Sequence, residues 1–118
     1  MAAHNELGKA GEGLAEQFFS EKGFTILFRN WRHSYFEIDL IAVKEERLHF
    51  IEVKTRRSWR FGLPEEDVDD KKINCLIDAG EEFLEQYPYW KRVQFDILSI
   101  TLLQDQPAEY FLIEDVYL

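Results

Sequence analysis

Two stretches rich in β-branched and aromatic residues, Tyr35 to Val43 and Leu48 to Thr55, are separated only by Lys44-Glu45-Glu46-Arg47. So short a charged spacer leaves room for little but a reversal, and the pair predicts a β-hairpin. If the chain turns symmetrically about Glu45 and Glu46, Asp39 stands opposite Glu52 and Glu37 opposite Lys54. Side chains directly across a ladder share a face, as do residues two apart along a strand. Glu37, Asp39, Glu52 and Lys54 are therefore expected on one side of the sheet. Ile38, Leu40, Ile51 and Val53 are expected on the other, in a core.

The remaining segments supply what such a hairpin needs to bury its apolar side. Leu7, Ala10, Leu14, Ala15, Phe18 and Phe19 recur at helical spacing, and Gly23 reads as the stop of that helix. Phe24 to Trp31 reads as a strand broken near Asn30 to Ser34. A loop with Gly62 and Pro64 leads into a second amphipathic helix, with Ile73, Leu76, Ile77, Phe83, Leu84 and Tyr87 on one face. Asp67, Asp69 or Asp70 is placed to cap its start, and Pro88 ends it. Val93 to Leu102 predicts a fourth strand and Tyr110 to Tyr117 a short fifth at an edge. The order predicts an α/β protein with a mixed central sheet flanked by helices. With 118 residues, 46% of them hydrophobic, and no repeat, linker or low-complexity stretch, residues 1 to 118 are expected to form a single domain.

The absence of other signals narrows the function classes. Cys75 is the only cysteine, so an internal disulfide or a cysteine-rich zinc site is excluded, and its apolar helical surroundings predict a buried structural thiol. The polar stretch Met1 to Lys9 and the lack of any run of 18 apolar residues argue against a secretion signal or a membrane span, and a cytoplasmic location is expected. No Gly-rich phosphate loop and no serine or cysteine nucleophile elbow occurs, which disfavours nucleotide hydrolases and acyl-transfer enzymes. His4, His33 and His49 have no ligand spacing and are expected to be surface or strand residues.

The opposed carboxylates carry the chemistry. Two of them about 5 Å apart repel by roughly 3 kcal/mol at an effective dielectric of 20. A divalent cation removes that cost, and two carboxylates with waters and a main-chain carbonyl, that of Val53 being between them, suit Mg²⁺ or Mn²⁺ at a phosphoryl-transfer site. Lys54, two residues beyond Glu52 on the same face, can hold an attacking water or offset charge growing on a phosphate. The plain alternative is a strand face of ion pairs, Glu37 with Lys54 among them. The net charge of −9 opposes a nucleic-acid partner, because such affinity depends on Lys and Arg. The charge is uneven, however: residues 29 to 72 hold 10 of the 14 basic and 10 of the 23 acidic side chains, so the excess lies elsewhere. Arg56, Arg57, Trp59 and Arg60 mix basic and aromatic character after the second hairpin strand, as phosphate-tracking and base-stacking surfaces do. Lys71 and Lys72 could touch backbone phosphate, and Asp96 either borders the site or serves in pairing.

Phe36-Glu37-Ile38-Asp39-Leu40-Ile41-Ala42 followed by Phe50-Ile51-Glu52-Val53-Lys54-Thr55-Arg56 resembles the YraN-like family of small bacterial proteins. That family is grouped with the PD-(D/E)XK nuclease superfamily and is similar to Holliday-junction resolvases. Gly11-Glu12, Arg29-Asn30-Trp31-Arg32, Phe61-Gly62, Lys71 and Phe95-Asp96 extend the likeness along most of the chain. The resemblance implies a restriction-endonuclease-like αβββαβ core, Asp39 and Glu52 as metal ligands, Lys54 as the catalytic lysine and Glu12 as an auxiliary acid. It implies a metal-dependent DNA endonuclease acting on branched or damaged DNA, and a homodimer that cuts two strands. A nucleic-acid-binding module without turnover, or a protein-interaction domain, stands as the alternative. Phe36 departs from the glycine usual at its position and bears on access to the site.

Overall fold

A computed structural model describes residues 2–58 and 69–116, with side chains from Glu6 onward. The elements are α1 (Ala2–Glu21), β1 (Thr25–His33), β2 (Phe36–Lys44), β3 (Arg47–Arg56), α2 (Asp70–Gln86), β4 (Val93–Thr101) and β5 (Glu109–Ile113). The strands form one sheet in the order β1-β2-β3-β4-β5. β1, β2 and β3 make an antiparallel meander, β4 runs parallel to β3 after the α2 crossover, and β5 returns antiparallel along β4. This is the mixed α/β architecture expected from the sequence, consistent with an αβββαβ core.

The sheet is covered on both faces. On one, Ala15 and Phe19 of α1 close over Leu40, Ala42, Ile51, Leu98 and Ile100. On the other, Leu76, Ala79 and Phe83 of α2 close over Trp31, Ile41, Phe50 and Phe95. Phe83 is 1% exposed, and the rings of Phe28, Trp31, Phe50 and Tyr87 surround it at 4.5 to 5.5 Å, Tyr87 being nearest at 4.5 Å. Nearly all of β4 is buried, as a strand roofed on both sides requires, which explains its continuous apolar run.

Local signals fix the ends of the helices. Phe24 N–H donates to Phe19 O at 3.0 Å and Gly23 N–H to Ser20 O at 3.1 Å, the paired bonds of a Schellman stop. Gly23 takes the left-handed conformation that this stop needs (φ 90°), and the Phe19 and Phe24 rings meet across it at 5.0 Å. Among the three acidic candidates for the start of α2, Asp69 is the cap, its side chain accepting from Lys72 N–H at 2.8 Å. Asp67 lies outside the described residues, as do Gly62 and Pro64 of the expected loop.

Three expectations are corrected. Cys75 is exposed rather than buried. The buried stripe of α2 is Leu76, Ala79, Gly80 and Phe83, and Cys75 lies about 90° around the helix from its middle. The break expected near Asn30 to Ser34 does not end the strand, because β1 continues to His33. Instead Asn30 takes a left-handed conformation (φ 50°) within the strand, which asparagine tolerates. That leads to the third difference. Arg29 pairs with Leu40 and Trp31 with Ile38, yet Ile38 joins the α2-side core and Leu40 the α1-side core. The two strands turn over between these pairs, at Asn30 and Asp39, so Ile38 and Leu40 do not share a face.

Candidate functional site

The hairpin register is the expected one, with Leu40 opposite Ile51 and Lys44 opposite Arg47. The β2–β3 ladder ends at the Leu40–Ile51 pair, and the next residue, Asp39, uses its side chain instead. Asp39 Oδ2 accepts from Val53 N–H at 2.8 Å, occupying a donor that a continuing ladder would have satisfied. The strands thus open into a cleft with a carboxylate fixed at its apex.

Glu37, Asp39, Glu52, Val53, Lys54 and Lys72 line this cleft of about 370 Å³ on the α2 side of the sheet. A smaller depression of about 200 Å³ lies on the α1 side, where Glu12 meets Asp39, Val53 and Lys54. Asp39, at the point where β2 turns over, reaches both. Glu12 is brought there by the packing of α1, and Gly11 permits that approach. A Cβ at position 11 would stand 2.9 Å from Thr55 Cβ, closer than side chains pack.

The electrostatics follow from this geometry. Burial raises the Asp39 carboxyl to about 6, the hydrogen bond from Val53 opposes the rise, and the charges of Glu52, Glu12 and Glu37 add to it. Glu52 is also raised, chiefly by burial and in part by Asp69, against the attraction of Lys54 and Lys72. A cleft that holds two carboxyls above their ordinary range favours whatever positive charge enters it. Among the described residues, no three His, Cys, Asp or Glu side chains converge as a ligand set. A cation here would have Asp39 and Glu52 as its side-chain ligands, with main-chain and water oxygens completing its shell. That all-oxygen, two-carboxylate donor set fits Mg²⁺ or Mn²⁺ and does not fit a zinc site of the Cys or His type.

Other residues singled out from the sequence fall in different places. Glu37 pairs with Arg32 at 3.3 Å. Arg56 at the end of β3 and Arg57 just after it do not line the cleft, and Trp59 and Arg60 lie outside the described residues. Lys71 is exposed, whereas Lys72 lines the cleft. Helical spacing distinguishes them, since Lys72 precedes buried Leu76 by four residues and so sits on the same side of α2. Phe36 packs against the α2-side core and is not among the residues lining the cleft. Asp96 takes the pairing role, bonding His49 at 2.7 Å, and His33 pairs with Glu82 at 3.1 Å. The His4 side chain lies outside the described residues.

Among the described residues, no helix is long and apolar enough to cross a membrane. The model of the uncharacterised protein family UPF0102 matches residues 11–100, a span that includes Glu12, both hairpin strands and Lys72. A UPF0102 protein of Bacteroides thetaiotaomicron is 44% identical over 100 residues, covering 85% of this chain and 83% of that relative. One from Syntrophomonas wolfei is 45% identical over 103 residues, covering 86% and 89% respectively. One from Dictyoglomus turgidum is 42% identical over 100 residues, covering 84% and 85%. The chain belongs to the uncharacterised protein family UPF0102, the YraN family, whose motifs lie in β2 and β3.

Proposed function

We propose that this protein is a metal-dependent endonuclease that hydrolyses phosphodiester bonds in DNA, with branched or damaged structures as its substrates. The observation that carries the reading is the cleft at the end of the β2–β3 ladder, where Asp39, Glu52 and Lys54 meet with Asp39 raised to about 6. Asp39 and Glu52 would hold Mg²⁺ or Mn²⁺, with Val53 contributing a main-chain oxygen. When bound, the ion supplies Lewis-acid activation and neutralises charge at the phosphorus. Lys54 orients the attacking water or donates to a phosphoryl oxygen as its charge grows. Glu12, on the α1 side of Asp39, is placed to take up a proton there, and Lys72 offsets a phosphate approaching from α2. Arg56, Arg57, Trp59, Arg60 and Lys71 would contact the strand beyond the cleft. The partner is DNA in the cytoplasm, and two copies of the chain would serve substrates cut on both strands.

The test is cleavage of linear, flap and four-way-junction DNA in Mg²⁺ or Mn²⁺ by the wild type, Asp39→Asn and Lys54→Ala. Cleavage by the wild type that both substitutions abolish supports the enzyme. Binding without cleavage replaces it with a non-catalytic module, and equal weak cutting by all three proteins removes it. Calorimetry with Mn²⁺ gives an independent check, since a wild type that takes up no ion cannot work in this way.

A further inference from the structure

A second site stands at the other end of β3, away from the cleft. There α1, the β2–β3 turn and the starts of β3 and β4 surround a depression of about 720 Å³. Lys22, Lys44, Arg47 and Arg92 line it, against the acidic Glu45 and Glu114, in a chain whose net charge is −9. Among the described residues none of the four cations forms an ion pair, although two carboxylates share the same walls. Cations gathered without their counter-charges in an acidic protein repel one another, and an anion between them removes that repulsion.

His49 gives the depression a floor. The residue is 7% exposed, and its Nδ1–H donates to Asp96 Oδ2 at 2.7 Å. Asp96 is itself held, its Oδ1 accepting from Gln94 Nε2 and from Asp115 N–H, both at 2.9 Å. With Nδ1 committed to Asp96, the free atom of the ring is Nε2, which has no hydrogen-bond partner among the described residues. No buried side-chain nitrogen or oxygen among them lacks a partner, so Nε2 is not sealed in the core, and the ring that carries it lines the depression. A carboxylate that takes the Nδ1–H of an imidazole leaves Nε2 as an acceptor held in a fixed direction, ready for a donor on a ligand.

An apolar wall adjoins these polar groups. Phe18 stacks on Tyr110 at 5.0 Å, and Tyr110 is 39% exposed. Lys22 and Lys44 lie over the rings of Phe18 and Phe24 at 4.7 and 5.3 Å, which holds their charges at the rim. We propose that this depression binds the phosphate of a nucleotide, with Arg47 and Arg92 on the phosphate, His49 Nε2 accepting from a hydroxyl of the nucleotide and the aromatic wall beside the base. The site uses none of the residues of the cleft and does not depend on the nuclease reading.

Calorimetry at low salt with 5′-AMP, inorganic phosphate and adenosine tests the proposal. Phosphate and 5′-AMP are expected to bind and adenosine not to, with Arg47→Ala and Arg92→Ala each weakening 5′-AMP by about tenfold or more. Arg29→Ala, which removes an exposed cation on β1, should leave the affinity unchanged. Absence of binding at millimolar ligand, equal binding of adenosine, or an equal loss in Arg29→Ala overturns the site. His49→Ala would strip Asp96 of its partner in the core, so the wild-type ring is followed instead by nitrogen NMR. The Nε2 signal should move on adding 5′-AMP, and an unmoved signal at saturation also overturns the site. A short 5′-phosphorylated oligonucleotide identifies the source of the phosphate. Binding tighter than 5′-AMP with the same arginine dependence assigns it to a strand end, and weaker binding to a free nucleotide.

Discussion

Asp39→Asn removes the charge at the apex of the cleft while keeping an oxygen able to accept from Val53 N–H. The carboxyl stands at about 6 instead of its ordinary 3.8, so ionising it in the folded protein costs about 3 kcal/mol more than in the unfolded chain. Because the folded value lies above the unfolded one, the neutral carboxyl favours folding at low pH. That contribution is complete below roughly pH 4 and is lost as pH rises through about 6. Asparagine is neutral throughout and avoids the loss. Allowing for the weaker hydrogen bond that an amide oxygen accepts, Asp39→Asn should be more stable than the wild type at pH 8 by about 2 kcal/mol. For a chain of this size that corresponds to roughly 8 °C in Tm. Thermal and urea unfolding in chelator from pH 4.5 to 8.5 measures it, and the gap should close towards the acid end. A variant no more stable than the wild type at pH 8, or a gap independent of pH, would refute the argument from burial and acidic neighbours. In the proposed function, Mn²⁺ at 100 times its Kd should stabilise the wild type by about 2.7 kcal/mol and the variant far less.

Gly11→Ala should lower stability by about 1 to 3 kcal/mol by urea unfolding, despite alanine's better helix propensity, because the new methyl meets Thr55. Thr55→Ala in the same chain should restore part of the loss, and a cost unchanged in the double variant would locate the strain elsewhere. Asp96→Ala leaves His49, Gln94 and the Asp115 N–H without their acceptor and should cost about 3 kcal/mol or more; a loss under about 1 kcal/mol would show the network to be dispensable. Phe83→Ala should cost about 3 to 5 kcal/mol, with the chevron or Tm as readout, since four aromatic neighbours lose their common partner. Asp69→Ala should cost about 1 kcal/mol through the N-cap and leave the β-sheet signal of circular dichroism unchanged.

The sequence by itself determined the elements and the hairpin register. Both are local: helical and strand periodicities reflect which side chains face a neighbour, and a charged four-residue turn leaves one way to align the flanking strands. Gly23 as a helix stop and the meeting of Asp39 with Glu52 follow from that level of information. Tertiary structure decided what depends on covering both faces of the sheet. Alternation along β2 predicts that Ile38 and Leu40 share a side, but the left-handed Asn30 turns the strands over and sends them to opposite helices. The same twist puts Asp39 between the two layers, within reach of Glu12 on one side and Lys72 on the other. The pairing of His49 with Asp96 was likewise illegible, because it joins two strands 47 residues apart through a parallel crossover, and no local pattern encodes which distant strand becomes a neighbour.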